Sequence, residues 1–110
     1  MKLHVLSDRL SLTHICGSLD KEAKGVYVGD LLSWVMSHAV EGDVWITIMS
    51  NVNVAAVASL TEAACVILAE GVEPDPETIR AAREKDVTIF SDKRSAYQLC
   101  RSLGALFSDG

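Results

Sequence analysis

Eight residues of this sequence have the types and positions expected of a small-ligand site. Each follows, or lies close behind, an apolar stretch that we interpret as a β-strand. Asparagine, aspartate and serine side chains, together with glycine N–H groups, bind small ligands through hydrogen bonds where strands end and helices begin. The same residue types are preferred at the start of any helix, so helix capping explains them equally well. The candidates are Gly29, Asp30, Asn51, Asn53, Gly71, Glu73, Ser91 and Asp92.

The charge of the chain limits what it binds. Its 110 residues include 10 Lys and Arg against 15 Asp and Glu, a formal net charge of −5. Between residues 25 and 79 there are eight acidic residues and no Lys or Arg. Because nucleic acids and anionic membrane surfaces both require clustered basic side chains, neither is an expected partner. A ligand at the acidic candidate residues is expected to be neutral or cationic, or a weak anion held by backbone N–H groups.

Sequence signatures of common catalytic sites are missing. The chain has no G-x-x-x-x-G-K-[ST] phosphate loop, no G-x-S-x-G motif and no H-x-x-x-H motif, and the glycines at residues 25 and 29 lack a third partner for a dinucleotide fingerprint. We therefore expect the protein not to be an enzyme. The alternative is an unrecognised acid/base pair of Asp30 and Asp92, which requires both carboxylates to face one cavity.

Three cysteines are widely spaced and form no C-x-x-C motif. Cys65 lies in an apolar run and Cys100 in a helical pattern, which is typical of free, buried thiols in a reducing, cytoplasmic compartment. His14 and Cys16 place two types of metal ligand on one face of an extended segment, but a closed zinc site takes four ligands and no second pair accompanies them. We expect no metal and no cofactor.

Apolar spacing divides the chain into alternating helices and strands. Leu3, Leu6 and Leu10 recur at helical spacing, with a strand over residues 3–6 as the alternative. Residues 43–49 are apolar on both faces, which favours an inner strand covered by helices on either side. The predicted strands are residues 12–16, 25–29, 43–49, 65–69 and 87–90, and the predicted helices are residues 2–10, 31–39, 54–64, 77–85 and 93–107.

Capping residues set the predicted helix ends. Asp30 is interpreted as the N-cap of the second helix and Gly42 as the residue that ends it. Pro74 and Pro76 exclude a helix before residue 77, residues 91–92 cap the last helix, and residues 108–110 are expected to fray. The inward-facing stripe of the second helix is predicted to be Leu31, Leu32, Val35, Met36 and Ala39.

This order of elements predicts an α/β fold with short connections. We expect three layers, α/β/α, around a largely parallel, and alternatively mixed, sheet of about five strands. Since no linker or repeat divides the chain, residues 1–110 are expected to form a single domain. In a parallel sheet the turns at residues 50–53, 70–74 and 91–95 meet at the carboxyl edge, and residues 29–30 join them if the second strand has the same direction.

Several short stretches resemble the DRTGG domain family. They are Gly-Asp-Leu-Leu at residues 29–32, Glu-Gly-Asp-Val-Trp-Ile-Thr at residues 41–47, Asn53 with the alanine-rich helix, Gly-x-x-Pro at residues 71–74, and residues 87–90 with Asp92. The resemblance covers roughly residues 24–100 and is greatest to small, stand-alone bacterial members. This domain is related to the N-terminal domain of HPr kinase/phosphorylase and is also found attached to phosphotransacetylases and CBS-domain pyrophosphatases.

The resemblance implies a three-layer α/β fold, self-association as a homodimer, and a regulatory or ligand-sensing role. The Asp-Arg-Thr segment of the family falls at residues 50–52, which read Ser-Asn-Val, and of Thr-Gly-Gly at residues 69–71 only the final glycine is present. The missing arginine removes an anion-binding side chain, and the phosphate-loop domain of the kinase relatives is missing too, so phosphorylation by their mechanism is not expected. We expect a non-catalytic regulatory or protein-interaction module, with a small-ligand sensor as the alternative.

Overall fold

The computed structural model describes residues 1–107, which contain five helices and five strands. The first segment is a helix whose Leu3, Leu6 and Leu10 are all buried, so the alternative of a strand over residues 3–6 is wrong. The expected fraying of residues 108–110 lies outside the described residues. The helices are α1 (Leu3–Leu10), α2 (Leu32–His38), α3 (Asn53–Thr61), α4 (Pro76–Glu84) and α5 (Ala96–Phe107), and the strands are β1 (Thr13–Cys16), β2 (Gly25–Val28), β3 (Asp43–Thr47), β4 (Cys65–Leu68) and β5 (Ile89–Ser91).

The five strands form one mixed sheet in the order β1-β5-β4-β3-β2. Strands β2, β3, β4 and β5 are mutually parallel, and β1 runs antiparallel to β5 at one end. The chain therefore has the predicted α/β fold, and the mixed form of the sheet is confirmed. The parallel order follows from β-α-β connections, which bring successive strands back in the same direction.

Helices cover both faces of the sheet. On one face α1 and α5 pack against Val44, Ile46, Ile67 and Phe90. On the other face α2, α3 and α4 pack against residues of the opposite parity, among them Trp45. All five residues of β3 are buried, because an inner strand with both faces covered has no solvent side. This is the predicted three-layer arrangement.

The starts of α4 and α5 differ from the prediction because other residues cap these helices. Helix α4 begins at Pro76 rather than at residue 77, because Asp75 caps it by accepting the Thr78 N–H at 2.8 Å and a proline at the first helical position needs no N–H partner. Helix α5 begins at Ala96 rather than at residue 93. Residues 91–92 are not its cap; Ser95 and Gln98 form a reciprocal capping box at 3.2 and 3.0 Å.

Helix α2 differs most from the prediction. Of the predicted inward-facing stripe only Val35 is fully buried, whereas Leu31 is 66% and Met36 51% exposed. The reason is that α2 has only seven residues and lies over the end of the sheet, so it has few neighbours to pack against. The helix ends at His38, and Gly42, with φ +86°, lies in the turn before β3 instead of ending the helix.

The connection between β1 and β2 is held by backbone contacts. Gly17 follows β1 with φ +94°, and a Cβ at this position would lie 2.4 Å from Thr88 Cα. Thr88 Oγ1 donates a hydrogen bond to the Ser18 carbonyl at 2.6 Å. The Leu3 N–H donates to the Lys21 carbonyl at 3.0 Å. These contacts fix the predicted loop over residues 18–24 against both β5 and α1.

Candidate functional site

The carboxyl ends of the four parallel strands lie along one edge of the sheet, as expected, but only half of the candidate residues come together there. Gly71, Glu73, Ser91 and Asp92 line one cavity of about 390 Å³, which we name the β1–β5 cavity. The pairing of β1 with β5 places Thr13 beside Ser91, at the same edge. The full lining is Ser11, Thr13, Ile15, Gly71, Glu73, Ser91, Asp92 and Lys93.

Sequence reasoning missed Ser11 and Thr13. It considered only the loops that follow parallel strands, whereas an antiparallel strand brings its first residues to that edge. Nothing in the four residues of β1 indicates its direction, and the preceding turn is an ordinary helix end in which Ser11 has φ +55°. These two exposed hydroxyls are therefore contributed by tertiary structure alone.

Asp92 is paired with an arginine two residues further on. Arg94 Nε donates to Asp92 Oδ1 at 2.8 Å and Arg94 Nη2 donates to Asp92 Oδ2 at 2.7 Å, a two-pronged ion pair. The hydrogen bonds from Arg94 hold the pKa of the Asp92 carboxyl below its ordinary value. The Arg94 guanidinium also donates to the Leu10 carbonyl, which ties α1 to this loop. Asp92 is thus already neutralised by a structural partner.

Backbone hydrogen bonds join the loop after β4 to the loop after β5. The Glu70 N–H donates to the Arg94 carbonyl and the Gly71 N–H to the Asp92 carbonyl, both at 2.9 Å. Ser91 Oγ donates to the Val72 carbonyl at 2.9 Å. Since these donors are already paired, Glu70 and Gly71 do not offer free N–H groups to an anionic ligand. The expected weak anion held by backbone N–H groups does not fit these two residues.

Two opposite charges remain at the mouth of the β1–β5 cavity. Glu73 and Lys93 are both exposed and both line it, beside the hydroxyls of Ser11 and Thr13. A carboxylate, an ammonium group and two hydroxyls offer hydrogen-bond donors and acceptors without a dominant charge. This lining suits a neutral or zwitterionic ligand.

Asp30 is not the cap of α2. Its Oδ1 accepts hydrogen bonds from Thr47 Oγ1 at 2.7 Å and from the Ile48 N–H at 3.0 Å. The N-cap of α2 is Leu31, which makes no side-chain capping bond. The Gly29 carbonyl accepts from Trp45 Nε1 at 2.9 Å. Gly29 and Asp30 therefore tie the end of β2 to β3, away from the cavity lining.

Asn51 and Asn53 form a third, separate group. Asn51 Oδ1 accepts the Asn53 N–H at 2.9 Å, an Asx turn that leads into α3. Both residues are exposed and neither lines the β1–β5 cavity. Thr78 Oγ1 from α4 donates to the Ser50 carbonyl at 2.8 Å and holds this turn in place.

The structure does not bring Asp30 and Asp92 together as an acid/base pair. They follow β2 and β5, which are separated by two other strands. Three inter-strand steps correspond to roughly 14 Å at about 4.8 Å per step. Each carboxylate also has its own structural hydrogen bonds. Proton transfer between positions of one substrate requires both groups within hydrogen-bond reach of it.

The sequence predicts neither a metal site nor a membrane partner. Among residues 1–107 no three His, Cys, Asp or Glu side chains lie together in a metal-binding arrangement. Within those residues, no helix has the length and apolar content needed to span a bilayer. His14 Nε2 lies 2.9 Å from the Gly17 carbonyl, and the Cys16 thiol is directed to the Val87 carbonyl at 3.8 Å.

Comparison with known proteins identifies the family of this chain. The model of the DRTGG domain family matches residues 8–106. The chain belongs to the DRTGG domain family. The resemblance seen in the sequence is therefore confirmed. None of the curated proteins compared with this chain matches it.

This DRTGG domain is also similar to a solved structure. That structure is described as the CBS and DRTGG domains of the regulatory region of Clostridium perfringens pyrophosphatase, complexed with its activator, diadenosine tetraphosphate. The TM-score is 0.68 at 17% sequence identity, which establishes a common fold. The match covers 93% of this chain and 45% of the other, so this chain spans less than half of that neighbour.

The two segments to which the sequence resemblance assigns departures from the family motif lie at the carboxyl edge of the sheet. Residues 50–52, which lack the Asp-Arg-Thr segment, form the turn between β3 and α3. Residues 69–71, which lack Thr-Gly, lie in the loop that is bonded to residues 92–94. Arg94, after β5, places a guanidinium at this edge, and Asp92 neutralises it.

Proposed function

We propose that this DRTGG domain is a regulatory module without catalytic chemistry of its own, which acts by associating with a second copy of itself. One observation carries the proposal, an exposed apolar surface around α2. The description of the similar pyrophosphatase segment as a regulatory region supports the regulatory part. The separation of Asp30 from Asp92 supports the non-catalytic part.

The apolar surface is concentrated in one segment of the chain. Seven of the nine large apolar side chains exposed in residues 1–107 lie between residues 28 and 52. Proteins that remain monomeric rarely expose a large contiguous apolar patch, because water solvates such a patch poorly. We name this set the α2 surface; it comprises Val28, Leu31, Trp34, Met36, Val40, Ile48 and Val52.

Structural contacts connect the parts of the α2 surface. The hydrogen bond from the Ile48 N–H to Asp30 brings the end of β3 beside the residue that precedes Leu31. Val28 is paired in register with Ile46, two residues before Ile48. Trp34 stacks on His38 with ring centroids 4.4 Å apart, which fixes the indole on the helix surface. Leu31 and Ile48 are therefore neighbours where β2 and β3 end, and Trp34 lies on the exposed side of α2. Val28, in register with Ile46, lies on the opposite face of the same end of the sheet.

The carboxylates near the α2 surface already have partners. Asp43 Oδ2 accepts the Val40 N–H at 2.9 Å, and Glu41 forms an ion pair with Lys24 at 3.8 Å. Asp30 is bonded to Thr47 and Ile48. These carboxylates are therefore hydrogen-bonded or ion-paired within the monomer, which lowers the desolvation cost of covering this surface with a second copy.

Sedimentation velocity across a range of concentrations tests self-association. The chain is expected to approach twice its monomer mass of 11.9 kDa at micromolar concentration. Trp34→Ser is expected to shift the equilibrium toward monomer without unfolding the domain, because Trp34 is 57% exposed. The matched control is Tyr97→Ser, which removes an aromatic side chain 70% exposed on α5. A monomeric mass at every concentration overturns the proposal.

A small-ligand sensor is the second candidate function. The specific observation in its favour is the β1–β5 cavity, which gathers four of the eight candidate residues. With Glu73 opposing Lys93, its lining favours zwitterionic ligands such as free amino acids. The polyanionic activator in the similar pyrophosphatase structure is a poor match, because Lys93 is the only cationic residue among the lining residues.

Thermal-shift measurements with free amino acids test the sensor function. A ligand at about 100 times its Kd stabilises the folded state by about 2.7 kcal/mol. Lys93→Gln is expected to abolish the shift, whereas Lys85→Gln, at the end of α4, is expected to leave it unchanged. Diadenosine tetraphosphate serves as the anionic comparison and is expected to give no shift. Absence of any shift with the amino acids contradicts this candidate function.

The thiols support a reducing, cytoplasmic location for this proposed function. Cys16, Cys65 and Cys100 are free, and none is in a disulfide. Burial raises the pKa of the Cys65 thiol to about 12 and raises those of the other two. Neutral, buried thiols are poor nucleophiles, which supports a packing role for Cys16 and Cys65, while Cys100 is half-buried beside the core.

A further inference from the structure

We propose that two copies of the chain pair through the outer edges of their β2 strands, antiparallel about a two-fold axis, to form a continuous sheet of ten strands, five from each copy. This inference rests on the proposed self-association and specifies its geometry. It names the backbone contacts and the register that join the copies. The partner is a second copy of this chain.

The outer edge of β2 is short, four residues, but it has no charge, proline or bulge to prevent edge pairing. Strand β2 is Gly-Val-Tyr-Val, with no charge and no proline, and it pairs with β3 in uninterrupted register. Within residues 1–107 it has a strand neighbour on one side only. By contrast, β1 at the other end is interrupted by a bulge between His14 and Cys16. Bulges, charges and prolines are the common means of preventing edge-to-edge pairing.

The nearest basic residue does not guard this edge. Lys24 donates its N–H to the Gly42 carbonyl at 2.8 Å and pairs with Glu41. Its side-chain carbons pass so close to Gly42 that a Cβ there would lie 2.8 Å from Lys24 Cδ. Lys24 is therefore directed over the β3 side of the strand, and the outer edge remains uncharged.

The backbone geometry identifies which groups are available for pairing. The Gly29 N–H donates to the Ile46 carbonyl at 3.2 Å, so Gly29 faces β3. Alternate residues of a strand direct their backbone groups to the same neighbour, which places Tyr27 toward β3 as well. Val26 and Val28 then direct their N–H and C=O groups to the open edge. A second β2 is the complement that satisfies all of them.

The two-fold symmetry fixes the register. Two identical strands related by a two-fold axis normal to the sheet must be antiparallel. With the axis at Tyr27, Val26 of one copy lies opposite Val28 of the other, and each such pair exchanges N–H···O=C hydrogen bonds in both directions. The Tyr27 residues of the two copies then form the closely spaced pair at the centre, with Cα atoms about 4.5 Å apart.

The α2 surface supplies the area that strand pairing lacks. A two-stranded ribbon of four residues is too small to be stable alone. The same axis keeps α2 of both copies on one face of the sheet, beside the joint, where Leu31 is 66% and Trp34 57% exposed. The exposed parts of Leu31, Trp34 and Met36, together with Val28 on the other face, provide on the order of half of the roughly 800 Å² per partner of an ordinary protein interface, and the paired β2 strands add to this area.

A charged substitution on the edge tests the pairing. Val28→Lys adds an ammonium group to the joint, since Val28 is 44% exposed and tolerates a polar side chain in the folded monomer. Sedimentation velocity is expected to show at least a tenfold weaker dimer, with an unchanged circular dichroism spectrum. Leu60→Lys, at a residue 69% exposed on α3, is the matched control and is expected to leave the dimer intact.

A cysteine introduced into β2 tests the register in which the two β2 strands pair. In Tyr27→Cys the two thiols meet across the axis at a Cα separation that suits a disulfide, so mild oxidation is expected to give a covalent dimer. In Val28→Cys the same thiols are offset along the strands and are expected to cross-link far less. The parent chain, with its three native cysteines, provides the background.

The outcomes separate this inference from the proposed function. A dimer that is weakened by Trp34→Ser but unaffected by Val28→Lys, with no cross-linking of Tyr27→Cys, overturns β2 pairing and leaves self-association standing. A monomer at every concentration overturns both. Weakening by Val28→Lys together with preferential cross-linking of Tyr27→Cys supports the proposed sheet.

Discussion

Asp92 illustrates how a residue type suited to ligand binding becomes a structural residue. Its carboxylate follows a parallel strand and lines a cavity, as the sequence suggests. Arg94, however, satisfies both of its oxygens and also reaches the Leu10 carbonyl of α1. The cavity therefore depends for its charge on Glu73 and Lys93 rather than on Asp92.

Removal of the Asp92 carboxylate is expected to cost stability in a pH-dependent way. Asp92→Asn is expected to lower the free energy of unfolding by about 1.5–3 kcal/mol near pH 7, the range for hydrogen bonds to charged groups. Because folding lowers the pKa of Asp92, this contribution is complete above the unfolded pKa of about 3.9 and is lost as the pH falls through the folded value.

Urea denaturation at several pH values checks this expectation. The difference between the parent chain and Asp92→Asn is expected to shrink below about pH 4, where the carboxyl of the parent becomes protonated. Asp20→Asn is the control, since its ion pair with Lys2 is exposed and contributes little. An equal difference at pH 7 and pH 3 contradicts the ion-pair explanation.

At the scale of elements, position in the sheet decides what each helix does. Helix α3 lies over inner strands and buries Val54, Ala55, Val57 and Ala58. Helix α2 lies at the β2 end and buries only Val35. Its remaining apolar side chains therefore stay available for a partner, although their spacing resembles that of an ordinary core helix.

Alanine substitutions at two glycines are expected to change the stability of the fold in opposite directions. Gly17→Ala is expected to destabilise the fold by roughly 2 kcal/mol or more, because Gly17 has φ +94° and a Cβ there meets Thr88 Cα at 2.4 Å. Gly104→Ala in α5 is expected to stabilise it by about 0.5–1 kcal/mol, because a Cβ there meets nothing within 4 Å and alanine favours a helix. Chemical denaturation of both variants measures the difference, and a neutral Gly17→Ala contradicts the close approach of β1 to β5.

At the scale of the whole molecule, the two candidate surfaces lie at opposite ends of the sheet. The β1–β5 cavity is at the β1 end, and the open edge with the α2 surface is at the β2 end. Association through β2 therefore leaves the cavity accessible. The proposed ligand site and the proposed dimer interface are therefore compatible in one small domain.

Self-association is expected to make thermal stability depend on concentration. Mass action raises the Tm of an associating protein by a few degrees for each tenfold increase in concentration. Trp34→Ser is expected to remove this dependence, and Tyr97→Ser to retain it. Differential scanning calorimetry at two concentrations measures it, and a Tm that is independent of concentration in the parent chain contradicts the dimer.

Local sequence pattern determined the elements of this protein. The leucines at residues 3, 6 and 10 predicted α1 correctly, and the apolar faces of residues 43–49 predicted a buried inner strand, which in the structure ends at Thr47. These predictions succeed because helical and strand periodicities are set by the side chains of one segment. The family resemblance, which depends on the order of such segments, was identifiable for the same reason.

Only the tertiary structure decided which of these residues meet. The direction of β1 brought Thr13 to the cavity, the Asp30 carboxylate turned to Thr47 instead of capping α2, and the end of the sheet left Leu31 exposed. Each outcome depends on strand order and on a partner distant in sequence, which local periodicity does not encode. The sequence thus specified the helices and strands, and long-range packing determined the cavity and the open edge.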